Sequence, residues 1–207
     1  MYRPSAFRED RPDILHAAIR AHPLATLVTQ GAAGLTANLV PFILKREDGR
    51  DVLQAHMART NEQFVDLQAG AEALVIFHGP HAYVTPSWYP SKHEHGKAVP
   101  TWNYVVVQAR GKPRVIDDAE WLLAQIHDLT LLQEADRDIP WSVSDAPADF
   151  IAGLVKAIRG LEIPIERIEG KWKASQNQPA VNRAGVIAGL RDLDPFSAMA
   201  GIMDQQP

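Results

Sequence analysis

A polar segment with the sequence HMARTN, ending at Asn61, contains residue types that could bind a phosphate group. It overlaps the end of a predicted strand over Val52–Met57, and Thr60 with Gln63 matches the capping box that starts a helix. Because a guanidinium donates paired hydrogen bonds and a helix start has unsatisfied N–H groups, Arg59, Thr60 and Asn61 could hold the phosphate of a flat cofactor. On the local pattern alone, the competing interpretation is a solvated arginine beside a simple helix cap.

Aromatic residues are concentrated in a second segment, where Trp88, Tyr89, Trp102 and Tyr104 are close in sequence. Cofactor sites combine apolar walls with a few directed polar groups, so these rings could pack against a flat ligand that Asn103 or Thr101 orients. The alternative is an ordinary barrel core with a dimer contact. The residues alone favour that alternative.

Basic residues and amides are combined in a third segment, residues 168–190, which includes Lys173, Gln176 and Asn177. Its cations could reach a phosphate or a nucleic acid, and its amides could contact the edge of a ring. On the residues alone, such a string is more often a polar turn before an amphipathic helix, with Pro179 near the helix start.

Four histidines, His78, His81, His93 and His95, lie in one region but lack the spacing of a metal site. The last two are two residues apart rather than four, and a Gly-Pro dipeptide separates the first two. We therefore predict no metal. The sequence also has no glycine-rich nucleotide-binding motif and no G-x-S-x-G motif, so Rossmann, P-loop and serine-hydrolase functions lose their usual support.

Composition narrows the class of protein further. The chain has 207 residues, of which 46% are apolar, and a net charge of −4, so it can bury a substantial core but has no overall excess of cations for coating DNA. It contains no cysteine, which excludes disulfides and thiolate metal sites. No apolar run has the length that a signal peptide or membrane span needs, so we expect a cytoplasmic protein with no membrane contact.

Short apolar and β-branched runs between residues 24 and 116 predict antiparallel strands joined in hairpins. Pro41 cannot donate to a ladder, so we expect it at a sheet edge or a bulge. The run His78–His81 predicts the turn of a hairpin, and the VVV run near residue 106 predicts a strand buried on both faces. The predicted strands are Leu24–Thr29, Leu35–Leu44, Val52–Met57, Ala73–Phe77, Ala82–Thr85 and Trp102–Ala109.

Helical spacing replaces this pattern from Asp117 onward. Two helices are predicted near residues 118–133 and 148–159, joined by an acidic, proline-containing connection rather than the short turn of a helix-turn-helix. A strand over Leu161–Ile168 and a helix over Val181–Leu190 are predicted after them. At the N-terminus, an opening helix is predicted to start near Pro12.

Strands followed by helices predict an α+β fold, an antiparallel barrel with flanking helices, rather than parallel β-α-β units. We predict a single domain over residues 1–207. Its helical elaboration is expected at about 117–160, and a C-terminal helical segment at about 179–203.

Several strings resemble the PaiB-like FMN-binding negative transcriptional regulators: MYRPSAF, HPLATLVT, PFIL, HMARTN, FHGPHAYVTPSWY, VPTWNYVVVQARG, and KWKASQNQ with RAGVIAGL. The resemblance extends in order from residue 1 to about residue 190, and VPTWNYV and SQN are quite specific. It implies an FMN-binding split barrel, a six-stranded Greek-key-type barrel related to pyridoxamine-phosphate oxidases and flavin reductases. It also implies a homodimer with flavin at the subunit interface, and a role in repressing genes, which in some relatives are those for proteases and sporulation.

The same resemblance implies which residues bind the cofactor. HMARTN would lie at the phosphate. The run Val40–Phe42 would line the isoalloxazine through exposed backbone, and VPTWNYV would come from the adjoining strand of this or the partner subunit. The role of the C-terminal signature is the least defined. The implied residues are Val40, Pro41, Phe42, His56, Ala58, Arg59, Thr60, Asn61, Trp102, Asn103, Lys173, Gln176 and Asn177.

The chain departs from the family pattern at several positions. Asn38 stands where the resemblance leads us to expect histidine, and Glu62 where it leads us to expect proline. Phe64 stands near an expected tryptophan. Gln178 replaces an expected arginine and Asn182 an expected aspartate, which removes a cation from the third segment.

Three functions are compatible with these residues. The first is an FMN-binding regulator that acts through DNA or a regulatory protein partner. The second is a small FMN-dependent oxidoreductase or flavin reductase, in which the protein tunes the flavin and the flavin performs the electron chemistry. The third is a dimeric binding module that has kept the barrel and lost the cofactor.

Overall fold

Ten strands form two sheets in the structure, a computed structural model that describes residues 1–205 apart from the side chains of His93 and His95. The six-stranded sheet has the order β1-β10-β7-β6-β2-β3, and the four-stranded sheet has the order β4-β5-β9-β8. The strands are β1 Arg8–Glu9, β2 Leu24–Gly31, β3 Gly34–Pro41, β4 Ile43–Glu47, β5 Arg50–Ala58, β6 Ala73–Val84, β7 Thr101–Gly111, β8 Arg114–Ile116, β9 Ile158–Pro164 and β10 Arg167–Lys173.

Two helices begin where a proline or capping residue and apolar spacing predict them. In the first helix, Pro12 occupies the first turn, and Leu15 and Ile19, one turn apart, are buried. The fourth helix begins where the Asp118 carboxylate accepts a hydrogen bond from the Trp121 N–H at 2.7 Å. The helices are α1 Pro12–Ala21, α2 Gln63–Gln68, α3 Lys92–His95, α4 Ala119–Glu134, α5 Ala148–Lys156, α6 Ala180–Leu193 and α7 Ala198–Gln205. None of the described helices is long and apolar enough to cross a membrane.

The chain divides into two compact units. Unit 1 contains residues 1–15, 78–107 and those from 169 onward, and unit 2 contains residues 16–77 and 108–168. The predicted α+β split-barrel fold is confirmed by the two antiparallel sheets with helices between and after the strands. The single domain stays a prediction.

Unit 2 holds the β2–β3 hairpin and the four-stranded sheet. Strand β2 pairs with β3 from Leu24↔Pro41 to Gly31↔Gly34, and β5 pairs with β9 along its length. Helices α4 and α5 contact this sheet through β5 and β9. Trp121 on α4 fits because Gly160 on β9 has no side chain: a Cβ there would lie 2.4 Å from the indole ring.

Unit 1 contains the β1–β10 pair and helices α6 and α7. Its α6 helix presents Gly185 and Gly189 to Trp88, and a Cβ at the second glycine would lie 2.3 Å from the indole. The string RAGVIAGL therefore packs against an aromatic ring. Trp88, one of the four clustered aromatics, serves this packing.

Two predicted strands are wrong in their bounds. The run Leu35–Leu44 is split at Phe42 between β3 and β4, and the Phe42 N–H donates to the Pro23 carbonyl at 2.9 Å. Pro41 ends the edge strand β3, so its predicted edge position is confirmed. The run Leu161–Ile168 is also wrong as one strand, because β9 ends at Pro164 and β10 begins at Arg167.

The predicted second hairpin is wrong, because β6 runs unbroken from Ala73 to Val84 through the Gly-Pro dipeptide. A Cβ at Gly79 would lie 2.9 Å from the Val105 side chain, so the glycine allows close strand approach rather than a turn. The prediction that β7 is buried on both faces is also wrong. Its residues alternate between buried and half-buried or exposed, as in a sheet with one solvated face.

The predicted helices are present, but several of their predicted end points are wrong. The C-terminal segment consists of two helices, α6 and α7, and the helix predicted to reach residue 159 ends at Lys156. The Thr60 cap is wrong: α2 begins at Gln63, and the Asn61 side chain accepts from the Gln63 N–H at 3.0 Å. Gly70, with a φ of 78°, lies just after this helix as predicted.

Candidate functional site

A buried polar network fixes the segment that follows β5. The Gln63 amide, 1% exposed, donates to the Leu27 carbonyl at 3.1 Å and to the Thr29 hydroxyl at 3.2 Å, and it accepts from Asn38 at 3.0 Å. The Thr29 hydroxyl donates onward to Asp66 at 2.9 Å. Helix α2 is therefore anchored to β2 and β3, and Asn38, a departure from the family pattern, is part of the anchor.

Arg59 lies in unit 2 immediately after β5, with its side chain 44% exposed. Its Nε donates to the Lys156 carbonyl at 3.0 Å, and its NH2 donates to the Ile158 carbonyl at 3.0 Å. Its NH1 donates to the Asp117 carboxylate at 2.7 Å. These bonds orient the guanidinium and use three of its five N–H donors.

Arg159, on β9, binds the same carboxylate. Its Nε lies 3.0 Å and 3.2 Å from the two Asp117 oxygens, and its NH2 lies 2.5 Å from the second. The guanidinium also lies over the Phe64 ring, 5.2 Å from the centroid. We call Arg59, Asp117 and Arg159 the arginine cluster. It carries two cations and one anion, and the Arg159 hydrogen bond lowers the pKa of Asp117, with a further contribution from Arg59.

The other predicted residues of unit 2 differ in their environments. The His56 Nδ1 lies 2.6 Å from the Gln125 Oε1 on α4, whereas Ala58 and Thr60 are exposed. Asn61 uses its amide within the segment, through the Gln63 N–H and the Met57 sulfur at 3.6 Å. Val40 and Phe42 are 2% exposed, and Pro41 is half-buried between them, so the side chains of Val40 and Phe42 are not accessible to a ligand.

Trp102 lies in unit 1 and is 53% exposed. It meets Tyr83 edge to face, with centroids 5.7 Å apart, and lines a cavity of about 550 Å³. The remaining walls of this cavity are His78, Gly79, His81, Tyr104, Val105 and Val106.

Polar residues near Trp102 are engaged inside unit 1. Asn103 is 0% exposed and donates to the Ser175 hydroxyl at 2.9 Å. The Lys173 ammonium donates to the Thr101 hydroxyl at 2.6 Å, and burial, with a smaller contribution from Lys171, lowers its pKa. Gln176 closes its own turn by donating to the Trp172 carbonyl at 2.6 Å, whereas Asn177 is exposed.

The sequence interpretation missed Asp117, Arg159 and Ser175. The first two are far apart in sequence from Arg59. The β5–β9 register places Met57 opposite Arg159, and the β8–β9 register, which pairs Ile116 with Gly160, brings Asp117 close to them. Ser175 has a φ of 61°, which a serine rarely adopts, and it lies inside the specific SQN string. That string could therefore have directed attention to the serine as well as to the amides.

The chemistry of the arginine cluster fits a phosphate monoester. Its net charge is positive, Arg59 is accessible and held in place, and guanidinium groups bind phosphate oxygens in pairs. No three His, Asp or Glu side chains come together as a metal site within residues 1–205, leaving aside the side chains of His93 and His95, which lie outside the description.

Two antiparallel sheets with flanking helices define a split-barrel fold, and the arginine cluster lies at the end of one of its strands. A family model described as "Putative FMN-binding domain" matches residues 1–167. The chain belongs to this family, and FMN is its cofactor.

Relatives of similar length match over the whole chain. An uncharacterized protein of Emericella nidulans is 36% identical over 244 residues, covering 100% of this chain and 97% of its own. Protease synthase and sporulation protein PAI 2 of Bacillus subtilis is 29% identical over 211 residues, covering 100% and 98%. The FAD and heme binding protein of Mycobacterium smegmatis has a TM-score of 0.61 at 17% identity, covering 86% of this chain and 78% of its own. The relatives confirm the PaiB-like resemblance, and the solved structure confirms the fold.

Proposed function

We propose that this protein is a homodimeric, FMN-binding regulator of the PaiB type, with the flavin held at the interface between two copies. The observation that carries the proposal is a solvent-exposed face with three leucines at the edge of the six-stranded sheet. A cofactor bound beside such a face would be enclosed only when a second copy covers it.

The exposed sheet face lies on β2 and β3 in unit 2. Leu35 and Leu39 are 76% and 65% exposed, and Leu24 is 54% exposed. Cross-strand partners point to the same side of a sheet, and the register pairs Leu39 with Thr26 and Leu35 with Gln30. Exposed leucines on an edge strand and on the strand beside it mark a surface for association.

The same strand leads to the predicted flavin contacts. Strand β3 ends at Val40-Pro41, and Phe42 follows outside the ladder, so a copy seated on the exposed sheet face would lie beside this backbone. We propose that Arg59, Thr60 and Asn61 hold the phosphate, with His56 and Ala58 nearby. Trp102, Asn103, Lys173, Gln176 and Asn177 stay predicted contributors. When bound, FMN supplies electron-transfer chemistry, and the protein supplies binding and orientation.

A regulatory role is supported by the name of the Bacillus subtilis relative, which refers to protease synthesis and sporulation. Helices α4 and α5 are separated by residues 135–147 and do not form a helix-turn-helix. The net charge of −4 also disfavours extensive phosphate contacts. We therefore propose that regulation acts through a protein partner or a local DNA contact of modest size.

An association experiment tests the dimer and the flavin together. Sedimentation of the purified protein should give a dimer, and titration with FMN should quench flavin fluorescence. Leu39→Asp should give a monomer with FMN affinity at least about tenfold lower, because a carboxylate on the apolar face costs more than about 1.4 kcal/mol. Leu193→Asp, at a leucine 77% exposed on α6, is the matched control and should leave both properties unchanged. A Leu39→Asp protein that remains a flavin-binding dimer would refute the interface.

A DNA-binding experiment tests the form of regulation. A gel shift with the protein's own upstream DNA, repeated over several salt concentrations, separates specific from electrostatic retention. A shift that survives physiological salt supports a DNA contact. Retention only at low salt favours the protein partner.

A further inference from the structure

We propose that Arg159 is a second anchor for the phosphate of the bound flavin, and that the Asp117 carboxylate occupies the anion position until the phosphate replaces it. This inference rests on the proposed function. It names a phosphate ligand and a competing internal anion that the HMARTN motif does not contain.

The position of Asp117 is that of a bound anion. Its carboxylate accepts from both guanidinium groups, at 2.7 Å from Arg59 and at 2.5 to 3.2 Å from Arg159. Arginine binds carboxylate and phosphate through the same pair of parallel N–H donors. The carboxylate therefore marks where a phosphate oxygen can be held by the two arginines together.

Charge favours the exchange. Two guanidinium groups and one carboxylate leave the cluster with an excess positive charge, whereas a phosphate monoester carries about −1.5 to −2 at neutral pH. The Asp117 side chain is 47% exposed, and ion pairs at such exposure contribute little. A phosphate thus gains more from the site than the carboxylate loses.

Both arginines are held by groups other than Asp117. Arg59 keeps its bonds to the Lys156 and Ile158 carbonyls, and Arg159 keeps its strand register and its contact with Phe64. Phe64 itself is 3% exposed on α2. The two cations therefore stay in place when the carboxylate leaves, which makes the site preorganised for an incoming anion.

The test compares FMN with riboflavin, which has the same ring system and no phosphate. Fluorescence titrations of the full-length protein should show tighter binding of FMN. Arg159→Gln should weaken FMN binding at least about tenfold, as loss of a charge-assisted hydrogen bond predicts, and should leave riboflavin binding unchanged. Arg137→Gln, at an arginine 65% exposed that pairs with Glu134 in the same unit, is the matched control and should change neither affinity.

Asp117→Asn should change FMN affinity in the opposite direction to Arg159→Gln. Removing the competing charge should tighten FMN binding by about threefold to tenfold without affecting riboflavin. Inorganic phosphate should compete with FMN in the wild type and lose that effect in Arg159→Gln. Arg159→Lys, which keeps the charge, should retain part of the preference, and thermal melts verify that each variant is folded.

Several results would overturn the inference. Equal losses of FMN and riboflavin affinity in Arg159→Gln would indicate a structural role, and weaker FMN binding in Asp117→Asn would show that the carboxylate supports the site. A wild type that binds both flavins equally would refute the phosphate anchor while leaving flavin binding intact. Binding of neither flavin would instead refute the proposed function.

Discussion

The arginine cluster of unit 2 and the Trp102 region of unit 1 contain comparable polar residues that serve different purposes. Arg59 is partly exposed and its cluster has surplus charge, whereas Asn103 is fully buried and paired with Ser175. Gln176 likewise satisfies its own turn. Specific sequence strings therefore include residues that hold the fold as well as residues that can meet a ligand, and burial with hydrogen-bond satisfaction separates the two groups.

Asn103 should give the largest change in stability of the residues compared. Asn103→Ala leaves the Ser175 hydroxyl buried without this partner and opens a small cavity, so the free energy of unfolding should fall by about 2 to 3 kcal/mol. Urea denaturation measures this loss. Asn177→Ala, at an exposed position in the same unit, should change stability by less than about 0.5 kcal/mol. Similar losses in both variants would remove the distinction between the two regions.

Asp117 should control an acid-dependent part of stability in unit 2. Its pKa is lowered from the ordinary 3.8, first by the hydrogen bond from Arg159 and also by Arg59. The stabilising contribution is therefore complete above about pH 3.8 and is lost as the pH falls through the lowered folded-state pKa.

In Asp117→Asn this acid-dependent part should disappear. Because the pair is exposed, the difference between variant and wild type at neutral pH should be below about 1 kcal/mol. Thermal melts between pH 2 and pH 6 are the measurement. An unchanged slope below pH 4 would contradict the assignment of the shifted carboxylate.

The coupling between Gln178 and Asn182 should be the smallest of these effects. Both depart from the family pattern, and the Asn182 amide donates to the Gln178 side chain at 3.3 Å, so a neutral pair occupies the positions where a cation and an anion are expected. Asn182→Asp alone should destabilise unit 1, because the residue is 4% exposed. Adding Gln178→Arg should restore about 0.5 to 1 kcal/mol, measured as the coupling energy of a double-mutant cycle. Additive effects would show that the two side chains act independently.

Much of the fold was predictable because it depends on local patterns. Apolar periodicity located α1 and α4, and Pro41 indicated the edge of a sheet. The same signals failed at the Gly-Pro dipeptide of β6, because glycine that permits close strand approach has the same local sequence as glycine in a turn.

The candidate site was predictable only in part. Arg59 could be found because it belongs to a compact motif at a strand end. Asp117 and Arg159 could not, because their proximity depends on the pairing of β9 with β5 and with β8, which joins segments far apart along the chain. The sequence identified Asn103 and Gln176 as important but could not show whether they contact a ligand or support the fold. Only their burial in the structure separates these two roles.

Arg59 also has a mechanical consequence. It bonds Asp117, which immediately precedes the cap of α4, and the carbonyl of Lys156, the last residue of α5. Residues of these two helices line an apolar cleft of about 740 Å³. Arg59 therefore connects the N-terminal end of α4 to the C-terminal end of α5. Amide hydrogen exchange at both of these helix ends should become faster together when Arg59 is substituted.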